Sequence, residues 1–332
     1  MDQKGKEQMQ FQLKLDIAPL EQRITYKDKI LLVGSCFTEH MSERLSQRKF
    51  TTLSNPHGII FNPMSVASSL RSYLEEMRYG EADLFYLNEL WNSWEHHTRF
   101  SDTSRERALT LMNTSQSSAA TFIREADWIF VTLGSAFQYY MKDGGIPVAN
   151  NHRAPAQWFD KQLLGIETIQ NTLMRSIADL RQQNPGVKVM FTVSPVRHIR
   201  DGVVENNRSK ARLLEAVHAI ACEMPEVYYF PAYELVIDVL RDYRYYDIDL
   251  VHPNYAATQY VWEQFALATM DEETRTIMAQ VQDIVIARNH RTRFAETNAH
   301  RQFLLNYKTK AEQLMARYPF LDLRQEIRYF AG

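Results

Sequence analysis

The sequence predicts an α/β fold with a mostly parallel sheet and helices on both of its faces. Two observations carry that reading. Short β-prone runs at 29–33, 127–133, 188–193 and 227–230 alternate with amphipathic stretches at 38–48, 104–113, 165–183 and 210–223. Strands separated by helices of that length pair as βαβ units rather than as hairpins. The second observation is the junction at Gly34-Ser35, where the run 29–33 ends and the helical period begins. It puts Ser35 at the C-terminal end of a strand and beside a helix N-terminus, where open α/β sheets bind their ligands.

The remaining elements follow in order. Residues 11–17 alternate apolar and polar side chains, the pattern of an edge strand or an extended lead-in. Pro185-Gly186 marks a turn before the run 188–193. After Pro253 the character changes: 254–270, 272–290 and 296–318 are long, charged and helical in period, with no strand between them. The expected organisation is a lead-in over 1–28, an α/β domain over 29–268, and a helical extension over 269–332 packed on the core. No internal repeat or low-complexity segment interrupts it.

Composition narrows the function classes. The 332 residues are 45% hydrophobic, enough for a large core. Lys plus Arg number 38 against 40 Asp plus Glu, so no broad field favours nucleic acid or an anionic membrane. No run approaches the roughly 18 apolar residues of a spanning helix, and the polar start Met1-Asp2-Gln3-Lys4-Gly5-Lys6 lacks the apolar core of a secretion signal. Cys36 and Cys222 make no disulfide framework and fit a reducing compartment. These observations lead us to expect a cytoplasmic protein without a nucleic-acid or membrane partner.

A serine becomes a nucleophile when a base takes its proton and a third group holds that base in the right tautomer. His252 in Asp247-Ile248-Asp249-Leu250-Val251-His252-Pro253 is the candidate base for Ser35, and Asp249, three residues earlier, can be brought back under the imidazole. Asp247 is the alternative partner. A nucleophile near the start of the α/β pattern and Asp-x-x-His near its end suits the SGNH architecture. Each residue also has a plainer role. Ser35 is a favoured helix N-cap, and His252 before a proline can be a loop residue. Cys36 carries the more nucleophilic atom, but its position points it elsewhere, packed behind the strand.

From about residue 30 to 265 the chain also resembles the GSCFA domain family, in its short bacterial form, within the SGNH hydrolase superfamily. The resemblance rests on Gly34-Ser35-Cys36-Phe37, Asn55-Pro56-His57-Gly58-Ile59-Ile60-Phe61-Asn62-Pro63, Trp94-Glu95-His96-His97-Thr98-Arg99-Phe100-Ser101 and Val148-Ala149-Asn150-Asn151-His152-Arg153-Ala154-Pro155. It continues through Thr192-Val193-Ser194-Pro195-Val196-Arg197-His198, Asp242-Tyr243-Arg244-Tyr245-Tyr246 and Val251-His252-Pro253. It implies a flavodoxin-like three-layer α/β/α core and ester chemistry by Ser35, His252 and Asp249. It also implies an oxyanion hole made of the Ser35 N–H, a glycine N–H matched by Gly58, and an asparagine side chain. The asparagine is absent: its Gly-x-Asn place reads Gly134-Ser135-Ala136. Loss of one such donor costs about 10²–10³ in rate, so a substitute is expected from Asn150, Asn151 or Gln138, with Asn62 further behind.

Asn62, His97, Arg99, His152, Ser194 and His198 are the candidate substrate contacts, lying in the matching segments. Arg99, Arg153 and Arg197 suit a carboxylate or phosphate, or plain salt bridges. His96, His97, His152 and His198 invite a metal, but adjacent histidines rarely share one coordination sphere, so no metal and no cofactor are expected. Trp91, Trp94, Trp158, Tyr139 and Tyr140 read as core or rim aromatics, and residues 243–246 as support for the loop bearing His252. The expected function is a serine esterase releasing a small acyl group, such as acetyl, from a polar small-molecule or glycan ester. An acyltransferase using the same acyl-enzyme, and a non-catalytic binding protein, are the alternatives.

Overall fold

The computed structural model describes residues 12–290 and 293–332. In chain order its strands are β1 (Lys29–Gly34), β2 (Thr51–Ser54), β3 (Phe85–Leu87), β4 (Leu90–Asn92), β5 (Trp128–Leu133), β6 (Phe137–Met141), β7 (Pro147–Val148), β8 (Phe159–Leu163), β9 (Lys188–Val193) and β10 (Val227–Tyr229). The central sheet has the order β10-β9-β5-β1-β2, and every pairing in it is parallel. Counted along the chain, its five strands run 2-1-3-4-5, the flavodoxin-like order. The chain leaves β1 toward one edge and returns on the other side as β5. Their C-terminal ends therefore flank the topological switch point, and Ser35 follows β1 there.

Strands covered on both faces need apolar residues on both, which is why β1, β5 and β9 read as nearly unbroken apolar runs. Alternate side chains go to opposite faces. Ile30, Leu32, Trp128, Phe130 and Met190 enter one core, while Leu31, Val33, Ile129, Val131, Leu133, Val189, Phe191 and Val193 enter the other. The second core is closed by α2 (Pro63–Leu74), α3 (Arg105–Glu125), α4 (Ile166–Gln183) and α5 (Val203–Glu223). The first is closed by α1 (Cys36–Gln47), the short α6 (Ala232–Glu234), α7 (Tyr255–Thr269), α8 (Glu272–Asn289), α9 (Asn298–Arg317) and α10 (Arg324–Ala331). Ile277, Val281, Ile284, Ala311, Leu314 and Phe330 from the last three helices belong to the same cluster as Ile30 and Leu32.

Several elements differ from expectation. Helix α3 runs twelve residues beyond 113, through Thr-Ser-Gln-Ser-Ser. Those hydroxyls look loop-like, but Ser118 donates back to the Thr114 carbonyl, Thr121 to that of Ser117, and Ser115 to the Pro56 carbonyl, so helix and neighbouring loop take them up. Of the alternating run 11–17, Phe11 lies outside the described residues and 12–17 form no strand; Leu15 and Ile17 pack against the first core. The β3–β4 hairpin and the antiparallel β7-β6-β8 sheet carry no clear period because their strands are two to five residues long. These small sheets matter because they hold the loops around 93–101 and 149–153 beside the switch point. No helix among the described residues is long and apolar enough to cross a membrane.

Candidate active site

Gly34 ends β1 with φ +146°, and a Cβ there would stand 2.3 Å from the Thr132 carbonyl oxygen. Only glycine allows β1 to press this closely on β5 before the chain turns into α1. Ser35 then N-caps α1: its Oγ accepts from the Phe37 amide at 3.3 Å, and its own N–H donates to Thr132 O at 3.1 Å. The hydroxyl therefore sits at the positive end of a helix, and the residue is 1% exposed. Burial raises the Cys36 thiol above its ordinary range, which keeps it protonated at neutral pH.

The base loop is built locally. Asp249 Oδ1 accepts from the amides of Val251 (2.9 Å) and His252 (3.0 Å), and its Oδ2 lies 2.6 Å from His252 Nδ1. These bonds, led by the His252 amide, hold the Asp249 carboxyl down at about 2, so it is ionised whenever the ring needs it. Asp249, not Asp247, is the carboxylate bonded to the ring. The loop is fastened by Asp247 N–H to His252 O, and by the Asn254 side chain to the carbonyls of Arg244 and Tyr246. Side chains of Asp249 and His252 are each 45% exposed. Ser35 Oγ and His252 share no hydrogen bond. The histidine is exposed while the serine is buried.

The amides expected to bind an oxyanion are engaged elsewhere. The Ser35 N–H is in the sheet, and the Gly58 N–H donates to Asn55 O at 2.7 Å. Gly58 has φ +81°, and a Cβ on it would stand 2.2 Å from His97 Cβ, so this turn also demands glycine. Asn150 Oδ1 accepts from the His152 amide, and Gln138 donates to the carbonyls of Tyr139 and Val148. Ala136 is fully buried, and its N–H donates to Ser209 Oγ. Asn55 is different. It follows β2 with φ +44°, is 1% exposed, and its Oδ1 accepts from the Gly34 N–H at 2.9 Å. Its Nδ2 is buried without a hydrogen-bond partner among the described residues.

The other sequence candidates divide by role. Asn62 caps α2 through the Ser65 amide, and His97 caps the short turn at 98–100. Arg99 spans from Glu39 on α1 (3.1 Å) to the Asn55 carbonyl, strapping its loop across the N-terminus of α1. His152 is buried with Nε2 on the Ser93 carbonyl at 2.7 Å. Ser194 is fully buried, its Oγ accepting from the Val196 amide. His198 stacks on Phe61, and burial, reinforced by Lys210, drops its imidazole to about 3. Asn62, Asn151 and His198, with Phe61, Lys161 and Arg197, line a cavity of about 420 Å³ off the end of β5. No group of three or more potential metal ligands occurs among the described residues.

Lys210 is a site feature that sequence reading missed. Its position on α5 suggests a solvated face, yet it is 1% exposed and its ammonium donates to Gly134 O (2.7 Å) and Ser194 O (2.6 Å), tying together the ends of β5 and β9. Burial pulls it down to about 7. An unfolded chain holds that proton up to about pH 10.4, so the cost of burying the charge is full below pH 7 and fades as pH rises toward 10. Wild-type stability is expected to rise with pH between 7 and 9 relative to Lys210→Met, by on the order of 1.4 kcal/mol per pH unit. Urea unfolding of both proteins at pH 7 and pH 9 checks this, and a constant difference between them would contradict it.

A flavodoxin-like α/β/α core with a capped serine at its switch point and an Asp–His loop at the same sheet edge defines the class of protein. The particular family is equally plain. The GSCFA family model matches residues 29–265 and a GSCFA domain protein C-terminal model matches 281–331, so the chain belongs to the GSCFA family. Among solved structures it is similar to an acetyl xylan esterase from the rumen bacterium Butyrivibrio proteoclasticus, at 10% identity and a TM-score of 0.37, over 73% of this chain. The chain spans 63% of that protein's length. No curated protein matches it.

Proposed function

We propose that the protein is a serine hydrolase that cleaves a small acyl ester through Ser35, His252 and Asp249. The observation that carries the reading is the pairing of two prepared groups at one sheet edge: a serine hydroxyl at the β1–α1 junction and an imidazole held by an ionised carboxylate at 2.6 Å. In this mechanism the His252 loop closes on Ser35, and Nε2 takes the Oγ proton as Oγ bonds to the ester carbonyl carbon. His252 returns that proton to the leaving alcohol as the C–O bond breaks. Water, deprotonated by the same ring, then releases the acyl group and restores Ser35. Asp249 holds the Nδ1–H tautomer throughout.

The developing oxyanion needs a preorganised donor that is not engaged elsewhere. Asn55 Nδ2 meets that requirement, because its Oδ1 bond to the Gly34 amide fixes the amide group one residue from the nucleophile. Asn150 and Asn151 remain the candidates from the neighbouring loop. Asn55→Asp keeps the acceptor for Gly34 while replacing the donor, and it is expected to lower kcat by about 10²–10³ with little change in KM. Steady-state kinetics on an acetyl ester check this; unchanged kcat would remove Asn55 from the mechanism. The cavity off β5 supports a polar substrate, since Asn62, Asn151, Lys161 and Arg197 line it beside Phe61. Lys161 lies over the Phe137 and Tyr139 rings, 4.1 and 5.4 Å from their centroids, which covers faces that a sugar would otherwise use. Recognition there is therefore by hydrogen bonding more than by stacking.

A further inference from the structure

Arg44 of α1 and Arg48, its C-cap, are buried, and neither is paired with an acid among the described residues. Arg44 and Arg48 are 9% and 5% exposed. Arg44 donates to Gln259 and to Thr258 Oγ1 (3.2 Å) and lies over the Tyr255 ring. Arg48 donates to the Arg44 carbonyl (3.0 Å) and to Gln282 Oε1 (2.9 Å), lies over Trp262, and leaves Nε buried without a partner. Among the described residues, every hydrogen-bond partner of the two guanidinium groups is neutral. Both line a cavity of about 550 Å³ between α1, the start of α7, and α8. Glu43 and Asp247 also line it, but both are exposed and neither pairs with an arginine among the described residues.

Two like charges withdrawn from water without a counter-ion are costly to keep, and burial, reinforced by the Arg44 charge, lowers Arg48's hold on its proton. An anion offering oxygens to both guanidinium forks would offset that cost directly. The cavity is of a size that holds a small metabolite, and it lies at the seam between the two matched family segments, with Gln282 and Asn289 from the second. We propose that it is a ligand site for a small phosphorylated or carboxylated molecule, whose anionic group sits between Arg44 and Arg48. The site is independent of the ester chemistry, although Asp247, Pro253 and Asn254 on its wall flank the His252 loop, so an occupant bears on that loop.

The test is thermal unfolding of the full chain at constant ionic strength with inorganic phosphate, glucose 6-phosphate, glucuronate or glucose. Wild type is expected to show a saturable rise in Tm with phosphate compounds or with glucuronate, whichever anion the site prefers, and none with glucose. Gln282→Glu sets an internal carboxylate against Arg48; it is expected to raise Tm without ligand and to weaken the apparent affinity at least tenfold. Gln259→Glu, facing Arg44, serves if the first variant misfolds. No saturable rise with any of the anions, or a titration unchanged in the folded variant, would overturn the proposal.

Discussion

Ser35→Ala is expected to lower ester turnover by about 10⁴–10⁶ while leaving the fold intact. The size follows from what the hydroxyl does in the proposed reaction, where it is the atom that bonds to the acyl carbon. Without it, only binding and electrostatic stabilisation of a water attack remain. The fold should tolerate the change because the lost interaction is one capping bond, Oγ to the Phe37 amide at 3.3 Å. Replacing such a cap costs about 1 kcal/mol, well within the stability of a domain of this size. Kinetics together with a urea melt therefore separate the roles. If Ser35 were only a cap, stability would fall by that amount and turnover would not change.

His252→Ala is expected to cost nearly as much, since a serine without its base gains little from the rest of the site. The loop should survive the substitution. Asp249 would still accept from the Val251 and residue-252 amides, and Asp247 and Asn254 would keep their backbone bonds. Asp249→Asn is the milder companion, expected to lose less because it leaves a neutral imidazole in place with the wrong tautomer favoured. Measuring kcat for both variants on one activated acetyl ester checks the order. Full activity in His252→Ala would mean that another group takes the Ser35 proton.

What the sequence made legible tracks how local each feature is. The central strands could be read because strands covered on both faces must be apolar throughout, as Ile-Leu-Leu-Val at 30–33 and Trp-Ile-Phe-Val at 128–131 are. The Asp249–His252 bond could be anticipated because its two residues lie three apart in one loop. The second half of α3 could not, since its hydroxyls find their acceptors, Thr114 O, Ser117 O and the distant Pro56 O, only once the helix exists in the fold. Asn55 and Lys210 stayed hidden because their meaning is tertiary. Asn55 reaches a backbone amide 21 residues earlier, and Lys210 reaches two strand ends across the sheet. Arg44 and Arg48, at the end of α1, likewise have a meaning that is tertiary, given by Thr258 of α7 and Gln282 of α8.

Whether Ser35 is a nucleophile or merely a helix cap is tested directly by treating the full chain and Ser35→Ala with a fluorophosphonate probe and locating the adduct by peptide mass spectrometry. A single phosphonyl adduct is expected on Ser35 of the wild type and none on the variant. An adduct on Cys36, or no adduct on a folded wild-type protein, would contradict a nucleophilic Ser35.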